Sequence, residues 1–73
     1  MFKELNIGTN VRIIALPTHL KTADPMPMLR SPSLLPVGTR GLIIDRKPGN
    51  YWVVKFERGA FLLEDRYLEP IED

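Results

Sequence analysis

Five of the seven prolines of this chain fall between Pro17 and Pro36, and that cluster decides most of what the chain can fold into. Proline has no N–H to give a strand ladder, and its ring collides with the preceding turn of a helix. Residues 17–36, with Pro17, Pro25, Pro27, Pro32 and Pro36, therefore read as one long loop, neither strand nor helix. Regular structure is left to the flanks. On the N-terminal side, Gly8 to Leu16 reads as a strand, because Val11, Ile13 and Ala15 alternate with Arg12 and Ile14 and β-branched residues dominate.

Beyond the loop the chain becomes a succession of short strands. Gly38 and Gly41 bracket a turn, and Leu42–Asp45 follows as a strand. Lys47-Pro48-Gly49-Asn50 has the chemistry of a type II turn, with proline at the second position and glycine at the third. Tyr51–Phe56 is the clearest strand: Trp52, Val54 and Phe56 face one way, Tyr51, Val53 and Lys55 the other. Glu57-Arg58-Gly59 turns the chain into Ala60–Leu63, Glu64-Asp65-Arg66 suits a single helical turn, and Tyr67–Ile71 reads as a last edge strand. A meander of about five short strands with one long loop after the first is the outline of an SH3-like barrel, so the expected class is all-β. Its predicted core is Val11, Ile13, Leu42, Ile44, Trp52, Val54, Phe56, Phe61, Leu63 and Leu68. A mixed α/β fold is the rival, but no stretch sustains a 3.6-residue period.

Seventy-three residues make one SH3-like domain over residues 1–73, since so short a chain buries only about 60% of its unfolded surface and has no second core to build. With no cysteine, disulfides and thiolate metal sites are excluded and a reducing compartment fits. The start, Met1-Phe2-Lys3-Glu4, lacks the apolar run of a signal peptide and the second-position glycine that N-myristoylation requires. No apolar stretch approaches the length of a membrane span. A cytoplasmic monomer without membrane insertion is the expectation. Net charge is +1, weak for a nucleic-acid binder. It is unevenly spread: residues 1–40 carry five cations against two acids, and residues 41–73 five against seven.

Catalytic constellations are missing. His19 stands in the loop with Asp24 as its only nearby acid, too little for a metal site or a general base. Glu64 and Asp65 are adjacent and point apart, although Asp65 suits capping of the next turn. Gly38-Thr39-Arg40-Gly41 lacks the Gly-Lys-Ser/Thr ending of a phosphate loop. Neither an enzyme nor a bound cofactor is expected.

Function is sought in the loop. A twenty-residue connection is usually functional or disordered, and Leu20, Met26, Met28, Leu29, Leu34 and Leu35 make this one too apolar for a solvated linker. Its prolines lower the entropy lost on ordering, which suits preorganised recognition. Methionine offers adaptable contacts and Arg30 a bidentate partner for carboxylate or phosphate. Lys21, Thr22, Met26, Met28, Leu29 and Arg30 are the candidate protein-binding residues, joined by Tyr51 on the face opposite Trp52.

The run Val11–Pro17 and the string Lys21–Arg30, with Gly41–Gly49, Tyr51-Trp52 and Gly59–Leu62 behind them, resemble the SipA family, the NblS-interacting proteins of cyanobacteria. That resemblance implies a regulator that binds the ATP-binding catalytic domain of the sensor histidine kinase NblS and raises its autophosphorylation in high-light and stress signalling. Two rivals stand beside it. One is a small nucleic-acid-binding barrel using Arg40, Arg46, Lys47 and Lys55. The other is an accessory subunit of a photosynthetic electron-transfer complex, which would carry an obligate apolar face.

Overall fold

The computed structural model describes residues 4–23 and 28–71. Seven antiparallel strands form one sheet: β1 (Asn10–Ile13), β2 (Leu20–Thr22), β3 (Leu29–Arg30), β4 (Arg40–Lys47), β5 (Tyr51–Phe56), β6 (Gly59–Glu64) and β7 (Leu68–Pro70). Their order across the sheet is β3-β2-β6-β5-β4-β1-β7. The sheet curls around one apolar core, which gives the barrel-like, all-β architecture that the strand pattern predicts.

The long loop is where prediction and structure part. Prolines at 17, 25, 27, 32 and 36 leave proline-free windows at 18–24 and 28–31, and the chain places β2 in the first and β3 in the second. Leu20-Lys21-Thr22 alternates in, out, in, and pairs with β6 through Lys21↔Leu62 and Thr22↔Phe61. Pro32 then opens a 3-10 turn, Pro32–Leu34, where it loses no hydrogen bond, and Ser31 caps it by accepting from the Ser33 N–H at 3.3 Å. Leu20 and Leu35 are buried, so part of the loop's apolar content belongs to the core.

The tight β4–β5 connection follows the turn chemistry, with Gly49 at φ 83° as the third position of a type II turn demands. Core membership differs most in β4, and Val53, expected on the face opposite Trp52, is buried as well. Leu42 and Ile44 are not buried; Ile43, between them, is. Ile43 pairs with the inward-facing Val54, so ordinary alternation turns Leu42 and Ile44 outward, and a β-bulge follows in which Asp45 pairs with Val53 and Ile44 is the extra residue. Leu42 lies opposite Lys55 and shares its outward face. Val11, Ile13, Trp52, Val54, Phe56, Phe61, Leu63 and Leu68 are buried as predicted, joined by Leu5, Leu20 and Leu35. Gly41 makes room for them: a Cβ there would fall 2.6 Å from the Phe56 ring. Among the described residues no helix is long and apolar enough to cross a membrane.

Candidate functional site

The sheet ends at β3, and the predicted binding residues gather around that edge. Thr22 lies beneath the corner, only 8% exposed. Its Oγ1 accepts from the Met28 N–H at 2.8 Å and its own N–H donates to the Met28 carbonyl at 2.9 Å. One residue thus clamps both ends of the excursion between β2 and β3. Met28 and Leu29, beyond the clamp, are 57% and 66% exposed. Met26 lies outside the described residues.

Pairing register divides the remaining candidates between two faces. Leu29 lies opposite Lys21, Lys21 opposite Leu62, and Leu62 opposite Val53. These four residues form a row across the outer face, with Tyr51 two positions further along β5 and 37% exposed. Arg30 lies opposite the buried Leu20 and so points to the core side of the sheet. There the barrel opens into a cleft of about 420 Å³ lined by Thr22, Arg30, Leu34 and Arg58–Phe61. Neither Arg30 nor Arg58 forms an ion pair with a described residue.

Arg58 was not among the predicted residues. It occupies a two-residue hairpin loop between Phe56 and Gly59, and only the long-range pairing of β2 with β6 brings it to Arg30. No local pattern announces such a meeting. The cations of the nucleic-acid reading are partly engaged elsewhere. Lys47 lies 3.8 Å from Asp45, and the Arg46 guanidinium stacks 5.3 Å from the Trp52 ring centroid. His19 is exposed, and among the described residues no three His, Cys, Asp or Glu side chains group closely enough to hold a metal ion. No buried side-chain nitrogen or oxygen of a described residue lacks a hydrogen-bond partner. The polar groups left for recognition are therefore at the surface.

Comparison with known proteins corrects the resemblance drawn from the motifs. The model of the CRR42-like family, described as Protein CHLORORESPIRATORY REDUCTION 42-like, matches residues 7–68. That span contains the Lys21–Arg30 string and the Gly41–Gly49 run on which the SipA resemblance rested. Protein CHLORORESPIRATORY REDUCTION 42, chloroplastic, of Arabidopsis thaliana is 37% identical over 70 residues, covering 94% of this chain. The chain spans 58% of the length of that relative. No solved structure matches. These matches overturn membership of the SipA family, the NblS kinase domain as partner, and the setting in two-component stress signalling. The cytoplasmic expectation falls with them, since the relative is chloroplastic. Matched from the turn before β1 to the first residue of β7, the chain belongs to the CRR42-like family.

Proposed function

We propose that this chain is a non-enzymatic accessory protein of a chlororespiratory electron-transfer complex, bound to a protein subunit through the β3 edge and the adjoining outer face. Family membership supplies the setting: the relative is named for chlororespiratory reduction. The observation that carries the mode of action is the exposure of Met28 and Leu29 at the end of the sheet, in line with Lys21 and Leu62. Apolar side chains held out at a sheet edge lose little entropy when a partner covers them, because Thr22 has already fixed the corner.

Side-chain docking fits this edge better than strand addition. β3 is only two residues long and carries Arg30 on its core side, and short edges with inward-pointing charges resist pairing with a further strand. The partner therefore meets Lys21, Met28, Leu29 and Tyr51 through its own side chains, with Arg30 at the margin and Thr22 as the buried support.

The test is removal of the chain from its host, followed by native separation of the solubilised membranes. One electron-transfer complex should lose abundance or shift in size, and return with the wild-type chain but not with Leu29→Asp. Unchanged complexes after removal would refute the reading.

A further inference from the structure

We infer that the cleft between Arg30 and Arg58 is a carboxylate-binding site that receives an acidic side chain from an apolar segment of the partner protein. This rests on the reading of the chain as a docking protein and adds the chemistry of what docks.

Three observations carry it. First, two arginines, Arg30 and Arg58, line one cleft with no described carboxylate partner. Cations brought together by the fold repel one another, and a carboxylate between them relieves that repulsion and takes up a bidentate fork. Second, the described acids that form ion pairs hold cations outside the cleft: Glu69 with Arg12 at 2.9 Å, Asp45 with Lys47, and Glu64 with Arg66 at 3.4 Å. Lys21, Arg40, Arg46 and Lys55 also form no ion pair with a described residue, so what sets Arg30 and Arg58 apart is that they share one cleft. Third, Leu34, Ala60 and Phe61 also line the cleft, and Met28 and Leu29, next to Arg30 in the chain, are exposed.

That mixture decides the ligand class. A nucleic-acid backbone needs a track of several cations to be held by phosphate contacts, whereas this cleft offers two cations beside Leu34, Ala60 and Phe61. A glutamate or aspartate flanked by leucine-like residues satisfies both parts. Volume agrees: a cleft of about 420 Å³ lies in the range that holds a few side chains.

The experiment titrates the isotope-labelled chain with an acetylated, amidated tetrapeptide of alternating leucine and glutamate, and with the same peptide carrying glutamine. Inorganic phosphate and a single-stranded RNA oligonucleotide serve as further probes. The glutamate peptide should shift the amides of Thr22, Arg30 and Arg58–Phe61, and the glutamine peptide should not. Arg30→Gln and Arg58→Gln should each weaken binding about tenfold, the scale of one charge-assisted contact. Equal binding of both peptides, or no shift with either, overturns the site. Shifts at these residues with phosphate or RNA but not with the peptide overturn the ligand class.

Capture of the complex from solubilised membranes separates this inference from the broader function. If wild type and the double glutamine variant capture it equally, the site is wrong and the accessory role stands. If the wild type captures none while the peptide still binds the cleft, the accessory role is wrong and the site stands.

Discussion

Ile43 and Ile44 are neighbours of one residue type, and alternation along β4, anchored by the pairing of Ile43 with Val54, gives them opposite roles. Ile43 is wholly buried beside Val54, whereas Ile44 is 42% exposed and has no partner across the ladder. Replacing each by valine removes one methylene group. At a buried site that costs about 0.5–1.5 kcal/mol, from lost burial and the small void left behind. At Ile44 the loss stays within about 0.5 kcal/mol, the range of ordinary surface changes. A 73-residue chain is stable by about 4–11 kcal/mol, so both variants remain folded and comparable. Ile43 lies within the cluster that includes Val11, Val54 and Phe56, where the structure cannot easily collapse, so we take about 1 kcal/mol. Urea unfolding of a chain this small has a slope of about 1 kcal/mol per molar. The Ile43→Val midpoint should therefore fall by about 1 M, and that of Ile44→Val by less than half as much. Equal shifts, or a larger one at Ile44, would refute the inward parity of Ile43.

Gly41→Ala should destabilise by about 1–3 kcal/mol, because its Cβ would meet the Phe56 ring at 2.6 Å and Val54 Cγ1 at 2.8 Å; an unchanged thermal midpoint would contradict that packing. Thr22→Val keeps the shape of the side chain but leaves the Met28 N–H without its acceptor. The cost should be about 1–3 kcal/mol, with faster hydrogen exchange at Met28; an unaltered exchange rate there would dismiss the clamp. Arg12 and Glu69 face each other across β1 and β7 and are largely exposed. A double-mutant cycle should give a coupling of only about 0.2–1 kcal/mol, fading in concentrated salt.

Where the sequence alternated cleanly, it was readable. Tyr51–Phe56 placed Trp52, Val54 and Phe56 in the core as its alternation implied, although Val53 on the opposite face is buried too, and Pro48-Gly49 could only be a turn. Leu42-Ile43-Ile44 offered no such contrast. Three consecutive apolar residues fit either parity, and choosing the parity that buries two of them selected Leu42 and Ile44 over Ile43. The pairing of Ile43 with Val54 settles the parity, and β4 alone could not reveal it. The prolines misled in a different way. They do forbid long strands, but β2 and β3 have three and two residues and fit between them. The loop residues proposed for binding were gathered as one set by their adjacency in sequence. Register then separated Lys21 and Leu29 on the outer face from Arg30 in the cleft, a division no local reading supplies.

That division bears on why the edge can serve recognition without weakening the barrel. Core side chains contributed by the loop, Leu20 and Leu35, are buried as completely as those of the central strands. The residues offered to a partner alternate with them or lie at the very end of the sheet, where the neighbouring strand is missing. Lys21 can therefore change without disturbing Leu20, and Leu29 without opening the core. Stability instead depends on Thr22, which sits between the two sets and joins the outgoing chain to the returning one. Variants of the exposed residues should accordingly alter partner capture at constant stability, whereas variants of Thr22 should lower both. A substitution at Leu29 that unfolded the chain would show that the edge belongs to the core and would remove the basis for treating it as a docking surface.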